Sequence, residues 1–182
     1  MAQRATNHSA TNQQTTNAPA TGPTPLASRA IDDAIVSEIE IAAPPDRIFS
    51  ALTDQAQLLR WWGEEGECKA SLWKMDPRPG GKWQFEATDP TGKVVVNGVS
   101  QFKAHGEILE FSRPRLLVYT WIANWHDRPD AVTVVAWDLK PTAKGTLVKV
   151  THSGLADLAI ARKDYAGGWP GVVELLKRFV ER

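Results

Sequence analysis

Cysteine is all but missing from this chain. Cys68 is the only one in 182 residues, so no disulfide can close within it, and a reducing compartment is the simplest setting. Net charge is missing as well. Lys and Arg number 21, as do Asp and Glu, and no block of one sign interrupts the balance. That excludes the clustered basic surface which nucleic acid or an anionic membrane demands. No apolar run approaches the length that crosses a bilayer. The first residues are Asn, Thr, Gln, Ala and Pro, where a secretory signal needs an apolar core. A cytoplasmic protein is expected, with neither nucleic acid nor membrane among its partners.

Catalytic signatures are equally scarce. His105, His126, His152 and Cys68 contain no pair at the short spacing that preorganises a metal site. Cys68 lies among Glu65, Glu67 and Lys69 with no base beside it, and no serine occupies a nucleophile elbow. Gly80-Gly81 and Gly167-Gly168 lack the strand-to-helix setting of a phosphate loop and read as turns or close backbone approaches. No metal ligand, cofactor or catalytic residue is assigned.

What is present is one domain behind a tail. Residues 1–30 are low in complexity and aperiodic. They offer too little apolar area to offset their ordering entropy, so a disordered tail is expected, with a single domain over 31–182. Within it Ile31 to Ala42 alternates as a first strand. Pro44-Pro45-Asp46 opens a short helix buried through Ile48, Phe49 and Leu52. Thr53-Asp54 caps a second short helix through Leu58, Leu59 and Trp62. The chain then reads as about six antiparallel strands, separated by turn chemistry at Asp76 to Gly81, Asp89 to Gly92 and Pro141 to Gly145. Val94 to Phe111 is long for one strand, and Gly98 and Gly106 mark bulges or bends in it.

The last strand, Leu147 to His152, leads into the only long amphipathic helix, whose Trp169, Val172, Val173, Leu176 and Val180 recur at helical spacing. Gly167-Gly168-Trp169-Pro170 is expected to interrupt or kink it, bringing Trp169 over the mouth of a pocket. The pattern is α+β, with a curved antiparallel sheet closing around a C-terminal helix and room for a ligand between them.

Eight tryptophans exceed what the core of so small a domain needs. Indole combines a large apolar face with one N–H donor, which suits the lining of a pocket for an aromatic or isoprenoid-like molecule, although aromatics at strand spacing also build cores. The candidate ligand-binding residues are Trp62, Trp73, Trp83, Phe85, Tyr119, Trp121, Trp137, His152 and Trp169. His152 shares a strand face with Val148 and Val150. The favoured reading is a histidine satisfied by a backbone carbonyl or seated as a cap at the strand–helix corner.

Ala51-Leu52-Thr53-Asp54, Trp61-Trp62-Gly63, Asp76 to Trp83, Leu116 to Trp121, Thr151 to Leu155 and Gly168-Trp169 occur together in one order. The ordered set resembles the family similar to the C-terminal domain of the activator of the heat-shock-protein-90 ATPase, within the START and birch-pollen-allergen-like superfamily. The resemblance spans about Ile35 to Arg182 and implies the helix-grip fold: a curved sheet wrapped around a long C-terminal helix, enclosing an apolar cavity. It supplies no shared catalytic residue. The chain departs from the pattern in a longer Gly92–Glu110 segment, in Ser112-Arg113-Pro114 and in Asp130-Ala131.

Three functions follow as alternatives. The first is non-catalytic binding of a small hydrophobic or aromatic molecule. The second, implied by the family name, is an interaction domain that stimulates a chaperone ATPase. The third is a cyclase or hydrolase using the same cavity, for which His152 with Tyr119 is the only candidate set. A polar cavity holding those two favours the enzyme, a dry aromatic cavity the binder, and a filled core with an exposed apolar patch the interaction domain. Either a monomer or a homodimer paired through an exposed edge strand fits.

Overall fold

The computed structural model describes residues 29–31, 33–62 and 68–182, the first three through their backbone. Of the expected tail, residues 1–28 lie outside the described residues. Arg29 and Ala30 instead open a short strand, β1 (Arg29–Ile31), which pairs antiparallel with β2 (Ala34–Ile41). The single strand expected from Ile31 is therefore a hairpin.

Pro45 takes the first position of α1 (Pro45–Thr53), where a missing N–H costs nothing. Asp54 caps α2 (Gln55–Trp61), its carboxylate accepting from the Gln57 amide at 2.9 Å. The strands β3 (Lys69–Met75), β4 (Lys82–Thr88), β5 (Gln101–Ser112), β6 (Leu116–Ala123), β7 (Thr133–Thr142) and β8 (Gly145–Ser153) follow, and α3 (Ala159–Val180) ends the fold.

All strands join one curled antiparallel sheet in the order β1-β2-β8-β7-β6-β5-β4-β3. β2 and β3 thus stand near opposite ends of the sheet, and α1 and α2 bridge them. Alternation decides the inner face. β6 turns Leu117, Tyr119, Trp121 and Ala123 inward; β7 turns in Thr133, Val135, Trp137 and Leu139; β8 turns in Thr146, Val148, Val150 and His152. Register aligns these into rows, one running Tyr119, Val135, His152, Ile35 across four strands.

The break expected at Gly98 is present, and the stretch from Val94 is not one strand. β5 begins at Gln101, and Asn97-Gly98, both at positive φ, form a tight turn closed by pairing of Val96 with Val99. Gly106 is no bend but a close crossing: a Cβ there would lie 1.9 Å from the Thr120 carbonyl oxygen and 2.7 Å from Trp83 Nε1. The bulge sits instead between Ile108 and Glu110.

The C-terminal helix is continuous through Pro170. Proline forfeits one backbone hydrogen bond and crowds the preceding turn. The buried stripe Ala161, Tyr165, Trp169, Val173, Leu176, Val180 holds both sides of it against the sheet, so packing overrides local propensity. The far end is tied down by side chains. Glu181 accepts from the Ala42 amide (2.8 Å), and Arg47 donates to the Val180 carbonyl (3.0 Å). No described helix is long and apolar enough to cross a membrane.

Candidate functional site

Beneath α3 the inner face carries a directional chain of hydrogen bonds. Trp169 Nε1–H donates to His152 Nδ1 at 3.3 Å. That nitrogen must therefore be bare, and Nε2 carries the proton toward Thr133 Oγ1 at 2.7 Å. The Thr133 hydroxyl donates in turn to the Trp121 carbonyl at 2.8 Å. His152 is fully buried, and desolvation drives its pKa well below the ordinary value, with the nearby His126 adding to the effect. It is a neutral structural imidazole, satisfied by side chains rather than by a backbone carbonyl.

A second imidazole is held the same way. His126 Nδ1 faces the Ala131 carbonyl at 3.3 Å, which can only accept, so Nδ1 holds the proton and Nε2 accepts from the Tyr165 hydroxyl at 2.7 Å. Burial lowers its pKa, while the Ala131 carbonyl and the Asp127 charge pull the other way. The Tyr165 ring lies over His152, centroids 4.1 Å apart. The loop carrying His126 is pinned to the start of α3, because Asp127 accepts from the Ile160 and Ala161 amides, both at 3.0 Å.

Beside this network lies a cavity of about 190 Å³ between the sheet and α3. Its walls are aromatic: Trp62 after α2, Phe85 on β4, Phe102 on β5, Trp121 on β6, Trp125 in the following loop, and Tyr165 and Trp169 on α3. Ala87, Val94, Val96, Cys68, Gly168 and Val172 complete them, and among the described residues Asp164 supplies the one charged group. Val94 and Val96 are placed by Asp89. Its carboxylate accepts from the Val94 amide at 2.8 Å, from Lys93 at 2.6 Å and from Thr91 at 2.7 Å. Chiefly through the Val94 bond, against a desolvation effect, these hold its pKa at about 2. Trp121 Nε1, on the cavity-lining ring, is buried without a hydrogen-bond partner, as is Trp73 Nε1.

The nine candidate residues divide by depth. Trp62, Phe85, Trp121 and Trp169 line the cavity. Trp73, Trp83, Tyr119 and Trp137 are packed behind it, with Trp83 against Trp121 at 4.7 Å and Trp73 at 5.5 Å, and Trp137 Nε1–H donating to Tyr119 Oη at 2.9 Å. His152 sits under Tyr165 and Trp169 and does not reach the cavity surface. His152 and Tyr119 share no hydrogen bond, since each is committed to other partners. Trp169 is buried in the cavity wall rather than spanning its mouth.

Sequence reasoning passed over Trp125, Asp164 and Tyr165. Tyr165 was within reach: it precedes Trp169 by four residues and so extends the same stripe, once the glycines are not read as a break. For Trp125 and Asp164 only the folded loop supplies the signal.

A curled antiparallel sheet gripping one long C-terminal helix, with a pair of short helices after the first long strand and a cavity beneath the helix, defines the helix-grip class. Residues 42–181 match the family described as Activator of Hsp90 ATPase homolog 1-like protein, and the chain belongs to that family. Among solved structures, a protein of Chromobacterium violaceum is similar at 22% identity, covering 82% of this chain and 99% of that one with a TM-score of 0.69. One from Nitrosomonas europaea gives 20%, 84%, 97% and 0.65 for the same measures. An AHSA1-like protein from Aeromonas hydrophila gives 20%, 81%, 92% and 0.63. These likenesses carry the fold alone. No functionally curated protein matches the chain.

Proposed function

We propose that this protein is a non-catalytic binder of a small aromatic or apolar molecule, held between the sheet and α3. The observation that carries the reading is the aromatic cavity of about 190 Å³. An apolar protein cavity of roughly 150 Å³ stays dry and admits benzene, whereas drug-sized ligands need about 300–1,000 Å³. The expected ligand is therefore one aromatic ring with a short substituent, rather than a sterol or a polyketide. Aromatic walls also contribute edge-to-face contacts that a purely aliphatic pocket does not.

The rival readings find less support. A hydrolase or cyclase would need polar groups converging in the cavity, and the candidate pair His152 and Tyr119 is spent on internal bonds. A partner-docking role of the kind the family description names would call for a contiguous apolar patch. The large apolar side chains exposed among the described residues are only four, Val95, Leu109, Val132 and Ile160. The test is thermal unfolding with aromatic compounds of graded size, from toluene through naphthalene to a sterol. Stabilisation by the single-ring compounds that disappears with size supports the reading. Stabilisation by none, or by the sterol alone, refutes it.

A further inference from the structure

The apolar reading of the cavity leaves Asp164 without a purpose. It stands in the second turn of α3, beside Tyr165, and its carboxylate reaches the cavity wall. One hydrogen bond is made to it: Trp125 Nε1–H donates to Oδ2 at 3.1 Å. Among the described residues no Lys or Arg forms an ion pair with it. The Tyr165 hydroxyl is turned to His126 and supplies no proton here. Burial raises the pKa of Asp164, opposed by the Trp125 bond. A half-buried carboxylate met by one neutral donor has lost part of its hydration, and an arriving cation relieves that cost.

The surrounding rings favour the same visitor. Trp62 and Trp121 lie near parallel at 6.5 Å, and Trp169 stands edge-on to them at 6.3 and 6.4 Å. Trp125 and Tyr165 close the side nearest Asp164, 6.3 Å apart. Faces of indole and phenol attract ammonium groups, most strongly where water is excluded.

We propose that the cavity receives a small organic cation with an apolar body, of the arylalkylamine or short alkylammonium class, its ammonium against the Asp164 carboxylate and its body against the wall formed by Trp62, Trp121 and Trp169. The inference rests on the reading of the cavity as a ligand site and adds the charge of the ligand to it.

The test titrates the full chain with benzylamine and with benzyl alcohol near neutral pH, following tryptophan fluorescence, in the wild type and in Asp164→Asn. The amide keeps an oxygen for Trp125 and removes the charge. In the wild type benzylamine binds about tenfold or more tighter than benzyl alcohol. Asp164→Asn removes about that factor for the amine and changes the alcohol by less than about twofold. Equal affinities in the wild type, or an amine affinity untouched by Asp164→Asn, overturn the cation inference and leave the cavity reading standing. Binding of neither compound overturns both. The comparison of the two compounds is made in the wild type, so it decides the matter even where the variant fails to fold.

Discussion

Acid should weaken this fold well before its carboxylates titrate, because two neutral histidines are sealed inside it. His126 and His152 are both fully buried, and each has one ring nitrogen that accepts a hydrogen bond, which only the uncharged form can do. Desolvation lowers both folded-state pKa values below the ordinary 6.5. The unfolded chain takes up protons around that value while the folded chain does not. Stability is therefore complete above about pH 7.5 and is lost as pH falls through 6.5 toward the lowered folded values. Each imidazole contributes a slope of at most about 1.4 kcal/mol per pH unit. By about pH 5.5 the pair costs up to about 2.8 kcal/mol, a large share of the roughly 5–15 kcal/mol that holds a typical domain. Asp164, whose folded pKa is raised, works with the opposite sign.

Urea unfolding followed by tryptophan fluorescence at about pH 7.5, 6.5 and 5.5 measures the loss directly. His152→Gln, which keeps amide groups near Thr133 and Trp169, should remove at least half of the pH dependence while lowering stability at the neutral end. Stability constant to within about 0.5 kcal/mol over that range, or a full dependence surviving in His152→Gln, would refute the assignment of both rings as buried and neutral.

Other consequences are local. Gly106→Ala places a Cβ 1.9 Å from the Thr120 carbonyl oxygen and displaces Trp83, whose Nε1–H donates to that same oxygen; a loss of about 2–4 kcal/mol in chemical unfolding is expected. Gly167→Ala and Gly171→Ala act in reverse. Both positions are exposed within α3 and a Cβ meets nothing within 4 Å, so each should raise stability by about 0.5–1 kcal/mol in the same assay. Trp169→Phe keeps a ring in the cavity wall but leaves His152 Nδ1 without its donor, at an expected cost of about 1–2 kcal/mol; a neutral result would mean that the 3.3 Å contact contributes nothing.

The architecture was legible where a pattern is local. Pro45 and Asp54 announced two helices, period-two alternation announced β6, β7 and β8, and the stripe from Trp169 to Val180 announced the helix they enclose. Reading failed where long-range packing overrides a local sign. Pro170 sits inside a continuous helix because its neighbours Trp169 and Val173 are anchored. Gly106 accommodates a neighbouring strand rather than a bend, and Arg29 belongs to a strand that exists only by pairing with β2.

The site was half legible for a related reason. Composition shows that tryptophan is in excess but not which rings end up against empty space. Trp73, Trp83 and Trp137 lie on the same sheet face as Trp121, and only packing depth separates them from the cavity. Asp164 looks like any polar residue on a helix until the loop bearing Trp125 folds over it.

Gly168 allows the most direct test of the central claim that the cavity is a ligand site. It lines the cavity, and a Cβ there meets nothing within 4 Å. Gly168→Leu therefore sets a bulky apolar side chain at the exposed rim of the cavity while improving the helix. Titration of wild type and Gly168→Leu with toluene should give saturable fluorescence quenching in the wild type. It should also give stabilisation rising toward about 2.7 kcal/mol at a hundredfold excess over Kd. The variant should stay folded and lose most of both responses. Equal quenching and equal stabilisation in the two proteins, or no saturable response in the wild type, would contradict the account.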